Sequence, residues 1–324
     1  MARRALRSVF FGTAEFAVPS LVALLDAGHE VLAVVTQPDK PQGRGMQLSA
    51  SPVKREAERR GLPVLQPRRV RHESFLAKMR ELAPDVLTLA AFGQIVPQAL
   101  LDLSPLGPIN VHGSLLPKYR GAAPIQRAIM AGETQTGVTT MWMDATLDTG
   151  DMLLSAALNI ETEDTAGTLT PKLAILGAEL LVQTLKGLAE GTLVRRPQDN
   201  SQATFAPALQ AEDALIRWEE PAQAIVNRIR GVSPKPGAFS TIRGKRVKVW
   251  AAQDAGAVTD AIPGTVVGLS KNPPGLLVAA GQNTTLRLLE TQPDSGKRMA
   301  ANAWANGLRL TGADRFDSGN IGQD

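Results

Sequence analysis

The sequence predicts an α/β protein of two domains: a Rossmann-like parallel sheet covered by helices, then a small, OB-like β-barrel. Three observations point there. Over residues 6–187 short apolar runs alternate with helix-like segments, the pattern of a parallel sheet with crossover helices. Around 190–207 the composition turns polar and turn-prone, in RRPQDNSQATFAP. Beyond it, five short strand-like runs are separated by Gly, Pro and Asn, as in a small barrel or a sandwich. The 324 residues are therefore divided into a first domain over 1–189, a linker over 190–207, a second domain over 208–312 and a loose tail over 313–324.

Strands of the first domain are expected at 7–11, 31–36, 64–66, 86–91 and 109–111, the most apolar of them buried on both faces. A further alternating run follows at 138–143. Helices fall at 17–27, 52–60 and 123–131, each with Pro near its first turn and Gly just past or near its end, and a long closing helix spans 165–188. In the second domain an amphipathic helix over 221–230, with Ile225 and Ile229 inward, precedes strands at 238–242, 247–252, 264–269, 276–280 and 285–290.

Composition narrows the chemistry. A net charge of +4, from 35 Lys+Arg against 31 Asp+Glu, allows a polyanionic partner without demanding one. With no Cys, thiolate catalysis, disulfides and Cys-based metal sites are excluded, and His29, His72 and His112 are too far apart for a helical metal pair, so no metal is expected. The longest apolar stretch, 86–101, is broken by Gly93, Gln94 and Pro97 and falls short of the roughly 20 residues a spanning helix needs. The arginine-bearing start runs straight into a strand without a signal-like core, so a cytoplasmic protein with no membrane attachment is expected.

The turn FFGTAEF joins a strand to a helix but has only Gly12 before Phe16, not the G-x-G-x-x-G spacing; a Gly-tight turn is preferred over a nicotinamide site. Richer chemistry lies in 109–152. Asn110 and His112, two apart on a strand, share one face at the carboxyl end of a parallel sheet, where open α/β sheets bind ligands. A carboxamide beside an imidazole suits oxyanion stabilisation and proton transfer. Asp148, in LDTGD, can hold that imidazole and order a water, or be no more than an Asx-turn residue. The SLLP segment offers backbone polar groups and two leucines as walls for a flat heterocycle.

INVHGSLLPKYRGAAPIQ together with LDTGDM resembles the catalytic core of the folate-dependent formyltransferases, and the likeness runs over nearly the whole chain. The segments FFGTAEFAVPSL, TQPDKPQGRG and SPVK are similar to the branch acting on methionyl-tRNA. The resemblance implies transfer of a formyl group from 10-formyltetrahydrofolate to the α-amino group of methionine on initiator methionyl-tRNA; a monomer is expected. It implies Asn110 as donor to the formyl oxygen, His112 as the protonated partner of the oxyanion and Asp148 as the group that holds His112 and relays protons. Ser114, Leu115, Leu116 and Pro117 match the folate-binding loop, and Phe16 an aromatic of the methionyl pocket, with a hydrophobic staple as its alternative.

The Gly- and Pro-rich segment 37–49 is expected to be a mobile surface loop, with Arg44 on the acceptor stem and Lys40 on its phosphates. Arg243, Lys245, Arg246 and Lys248, with Arg228 and Arg230 nearby, form either a solvated face or an RNA-backbone track dominated by phosphate contact. The chain departs from the branch's pattern at Phe92, where a Tyr is common, and at Lys235 in SPKP, where N-P-W-P is common. Rival readings are a formyltransferase acting on an amino sugar or purine precursor, and a non-catalytic RNA-binding protein that keeps the α/β domain as a scaffold.

Overall fold

The computed structural model describes residues 5–42 and 47–317. In chain order the first 190 residues give β1 (Arg7–Gly12), α1 (Val18–Asp26), β2 (Glu30–Val35), β3 (Lys40–Gln42), β4 (Gln47–Ser49), α2 (Pro52–Arg59) and β5 (Val64–Leu65). They continue with α3 (Glu73–Leu82), β6 (Val86–Ala90), α4 (Gln98–Leu101), β7 (Pro108–His112), α5 (Pro124–Met130), β8 (Gln135–Trp142), β9 (Met152–Asn159) and α6 (Ala166–Glu190). Seven strands form one sheet in the order β5-β2-β1-β6-β7-β8-β9.

β1 and β6 sit inside this sheet, which is why their runs are apolar on both faces: β6 is buried throughout and β1 from Ser8 on. The two buried hydroxyls that interrupt them, Ser8 Oγ and Thr88 Oγ1, satisfy each other at 2.9 Å. On one face Val9, Phe11, Val35, Leu87 and Leu89 pack with Phe75, Leu76 and Met79 of α3 and with Phe92. Phe92 lies edge-on to Phe11, ring centroids 5.3 Å apart, and is only 5% exposed.

The five strands expected first in this domain appear within a residue or two, the run at 138–143 is part of β8, which begins three residues earlier, and the sheet's direction needs a correction. The sheet is parallel only from β5 to β7; β8 runs antiparallel to β7, and β9, which the sequence reading missed, runs antiparallel to β8. β9 escaped notice because it is an edge strand whose alternating exposure leaves no continuous apolar run. The segment 37–49 is likewise not structureless: β3 and β4 pair antiparallel, Lys40 opposite Ser49. Lys54 Nζ anchors its base, donating to Asp39 Oδ2 at 2.7 Å and Gln66 Oε1 at 2.9 Å.

The chain from Ala208 gives α7 (Ala222–Gly231), β10 (Ala238–Ile242), β11 (Lys245–Val258), β12 (Val266–Lys271), β13 (Pro274–Ala279), β14 (Thr284–Pro293), β15 (Met299–Ala300), α8 (Ala301–Leu308) and β16 (Phe316–Asp317). The second sheet has the order β12-β13-β14-β11-β10-β16, with β15 beside β14. It closes on itself: Phe316 N donates to Gly264 O at 2.8 Å and Val266 N to Asp314 O at 3.0 Å, joining the two ends of the order. This ring agrees with the small barrel expected. One core cluster joins Val247, Val249, Leu276, Leu286, Leu288 and Phe316 of its strands to Ile225 and Ile229 of α7, Trp304 of α8 and the fully buried Trp218, whose Nε1 donates to Ser240 Oγ at 2.9 Å.

Two of the expected boundaries change. The tail does not begin at 313, because Phe316 is 1% exposed and β16 pairs with β10. The stretch 190–207 is no free linker either: it groups with the first unit, which comprises the chain to Pro124, Gln135–Asn159 and Thr170–Pro207. Ile125–Thr134 and Ile160–Leu169 group instead with the chain from Ala208. Ion pairs and carbonyl contacts explain this: Arg127 is bidentate to Asp213 at 2.7 Å, and Arg230 donates to the carbonyls of Asp164 and Glu161 at 2.8 and 2.7 Å. Among the described residues, no helix is long and apolar enough to cross a membrane.

Candidate active site

The strand order reverses direction between β1 and β6, the switch point beside which open α/β sheets bind ligands at the carboxyl ends of their strands. The turn after β1 is tight, as expected: a Cβ on Gly12 would lie 2.7 Å from the Phe10 ring and 2.8 Å from Ala17 Cβ. Thr13 ties this turn to the end of β6, its N donating to Ala91 O and its Oγ1 to Phe92 O. Phe16 follows in a short 3-10 turn and is 9% exposed, so it can offer a ligand little more than a ring edge.

β7 ends on Asn110 and His112, paired with Met141 and Thr139 of β8. Asn110 is half-buried and its carboxamide has no hydrogen-bond partner among the described residues. His112 is 5% exposed; its Nε2 donates to Tyr119 O at 3.0 Å and its Nδ1 lies 3.6 Å from Asp148 Oδ2. Both ring nitrogens thus face oxygens that can only accept, the Tyr119 carbonyl at hydrogen-bond distance and the Asp148 carboxylate just beyond it.

Asp148 takes a left-handed backbone (φ 53°), which Asp and Asn adopt more readily than other side chains. Its Oδ2 also accepts from Gly121 N at 2.8 Å, so the carboxylate is fixed by a backbone donor as well as by the imidazole. Upstream, Asp144 staples the same loop through Thr146 and Thr149. Burial alone would raise the Asp144 carboxyl, but these hydroxyls, the Thr146 N–H and the nearby Arg120 charge together hold it below its usual range.

The SLLP loop is built into the domain. Ser114 is fully buried and donates to Lys118 O at 2.6 Å; Thr139 Oγ1 donates to Ser114 O and accepts from Leu116 N. Leu116 is buried, while Leu115 and Pro117 are half-buried, so the loop exposes less apolar wall than its sequence suggested.

Lys40 is exposed and borders a cleft of about 430 Å³ lined also by Gln37, Arg68, Arg69, Arg71 and Ile95. These residues follow β2, β5 and β6, on the same carboxyl edge that carries His112. Sequence reasoning missed Arg68, Arg69 and Arg71, although PRRVR was a visible basic run. Arg44 lies outside the described residues.

In the second unit the predicted cations separate into two groups. Arg243 is taken up by Asp314, Nε to Oδ1 at 2.6 Å and Nη2 to Oδ2 at 2.8 Å, and that carboxylate holds its guanidinium above the usual range. Arg228 is similarly committed to Glu220 at 2.7 Å, and Arg230 to backbone carbonyls. Arg246 and Lys248 lie on the outer face of β11, whose inward partners are Val247 and Val249, with Lys248 Nζ also donating to Pro236 O at 3.2 Å; Lys245 is exposed at the start of the strand. Arg246 stacks over Phe239 at 3.6 Å, and Lys248 and Arg298 lie over Trp250 at 5.3 and 3.7 Å. The rings thus serve to hold cations; Arg298 was not anticipated. Lys235 is exposed and carries no contact bearing on the site.

The chain matches the formyl transferase family over residues 6–185 and the formyl transferase C-terminal domain over 208–309. It is 51% identical over 316 residues to a methionyl-tRNA formyltransferase of Solibacter usitatus, covering 98% of this chain and 100% of that one. It is also 51% identical to one of Koribacter versatilis, covering 95% of this chain and 97% of the other. A solved N-formyltransferase from Helicobacter canadensis, in complex with folinic acid and dTDP-3-aminofucose, shares the fold at TM-score 0.64 and 19% identity, over 88% of this chain and 99% of that one.

Proposed function

This chain belongs to the formyl transferase family, among its methionyl-tRNA formyltransferase members, and from that premise we propose that Asn110, His112 and Asp148 carry its reaction. It transfers the formyl group of 10-formyltetrahydrofolate to the α-amino group of methionine on initiator methionyl-tRNA. The observation that supports this site most is the Asn110 carboxamide, without a hydrogen-bond partner among the described residues, beside an imidazole placed between Tyr119 O and Asp148.

The attacking amine must arrive neutral; its addition to the formyl carbon moves charge onto the formyl oxygen, and folate N10 must gain a proton to leave. Asn110 donates to that oxygen. His112 places positive charge beside it, and release of the Tyr119 carbonyl frees Nε2–H as a second donor. Asp148 keeps the ring oriented and, through a water, accepts the proton lost by the amine and passes it toward N10. Ser114, Leu115, Leu116 and Pro117 form the folate-side wall, and Phe16 borders the methionyl side chain. Arg44 meets the acceptor stem and Lys40 its phosphates, with Arg68, Arg69 and Arg71 extending the positive edge. In the second unit, Lys245, Arg246 and Lys248 track the RNA backbone; Arg243, bound to Asp314, contributes little. The protein works in the cytoplasm as a monomer.

Asn110→Ala and His112→Ala test the site. Each should lower kcat by on the order of 10²-fold or more while leaving the fold intact. Near-normal turnover in either variant contradicts the assignment of that residue.

A further inference from the structure

The stretch 196–206 reads in sequence as a connector, yet it carries polar side chains committed to the Asp148 loop. At one end Arg196 and Met152 exchange backbone hydrogen bonds, N to O at 2.9 and 2.8 Å. At the other, Thr204 Oγ1 accepts from Tyr119 N at 2.9 Å, and Tyr119 is the residue whose carbonyl receives His112 Nε2–H. Between them Gln198 Nε2 donates to Asp148 O at 2.9 Å and to Gly150 O at 2.7 Å.

The amide of Gln198 can point only one way. Arg120, 4% exposed, donates from Nε and Nη2 to Gln198 Oε1 at 3.0 and 2.8 Å, and from Nη2 to Asn200 Oδ1 at 2.8 Å. A guanidinium has no acceptor, so a flipped amide would set donors against donors and turn an oxygen toward two carbonyls. Arg120 thereby assigns both Nε2 hydrogens to the loop. The next residue, Gly121, donates its N–H to Asp148 Oδ2. Residues 120 and 121 consequently grip Asp148 twice, at its carboxylate directly and at its main chain through Gln198.

We propose that Gln198, oriented by Arg120, is a positioning residue that sets where the Asp148 carboxylate stands relative to His112. Gln198 reaches only the main-chain oxygens of Asp148 and Gly150, so it acts through the loop and not on the reacting atoms. The inference rests on the catalytic reading of Asp148 given above. A displacement of about 1 Å in a catalytic group can lower rate by up to about 10²-fold, which is the scale expected here.

The test compares Gln198→Ala, Gln198→Glu, Asp148→Asn and the double variant Gln198→Ala/Asp148→Asn. Gln198→Glu keeps an acceptor for Arg120 and removes both donors to the loop, so it reports on positioning even if the alanine variant folds poorly. Both Gln198 variants should lower kcat by about 10- to 100-fold, with KM for methionyl-tRNA and for 10-formyltetrahydrofolate within about twofold. In the Asp148→Asn background the Gln198→Ala change should cost less than about threefold more, because the group it positions is already lost. Full multiplicative losses, or wild-type kcat in Gln198→Glu while Asp148→Asn is impaired, overturn the positioning role and leave the Asp148 reading standing. Near-wild-type turnover in Asp148→Asn itself overturns both.

Discussion

Replacing Asp148 separates the chemical from the structural part of its role, because Asn and Ala remove different things. Asparagine tolerates the left-handed backbone at φ 53° and can still accept from Gly121 N through its amide oxygen; it loses only the charge facing His112 at 3.6 Å. Asp148→Asn should therefore lower kcat by about 10²- to 10⁴-fold with an unchanged melting temperature. Alanine loses the same charge, pays about 1–2 kcal/mol for φ > 0, and strands the half-buried Gly121 N–H at about 1 kcal/mol more. At roughly 2–4 °C per kcal/mol, Asp148→Ala should melt about 5–10 °C lower while losing a similar amount of kcat. Single-turnover formylation with saturating 10-formyltetrahydrofolate, together with calorimetric melting, reads both quantities. A wild-type rate in Asp148→Asn would refute the reasoning, as would a rate loss confined to the alanine variant.

Glu56 accepts from Arg59 and Arg60 on α2; those two partners, Arg59 foremost, hold its carboxyl at about 2. Its stabilisation should be fully present above about pH 4.5 and lost as pH falls toward 2, so Glu56→Gln should lower the urea midpoint at pH 7 but match wild type near pH 2. Arg246→Ala should reduce the salt dependence of tRNA binding by about one unit, whereas Arg243→Ala, its charge already matched by Asp314, should leave the slope unchanged in filter binding. Trp250→Leu should weaken tRNA binding without altering net charge, because Arg298 loses the ring that holds it. Gly150→Ala would drive a Cβ into the Trp142 carbonyl, so it should destabilise the protein by about 1–3 kcal/mol and slow turnover, measurable by denaturation and kinetics.

Much of the first sheet was legible because β1, β2, β6 and β7 are interior strands and write their burial as apolar runs. Asn110 and His112 were legible for the complementary reason, since polar residues two apart at the end of such a run must emerge together. β9 and β16 were not: one alternates at an edge, and the other is two residues long and buried through Phe316 alone. Gln198 was invisible because it lies 50 residues from Asp148, in a polar stretch whose composition looks like that of a loop; its role exists only once Arg120 fixes its amide. The fate of the basic run in the second domain was hidden in the same way. Whether Arg243 or Arg246 is available depends on Asp314 and Phe239, which the sequence alone does not bring to them.

The most direct measurement incubates the purified protein with 10-formyltetrahydrofolate and charged initiator methionyl-tRNA, with elongator methionyl-tRNA in parallel, and scores formylmethionine. Formylation of the initiator, at a rate that His112→Ala lowers to about 1% of wild type or less, is the predicted result. Folate turnover or tRNA binding without formylmethionine, or undiminished formylation by the His112 variant, would contradict the account.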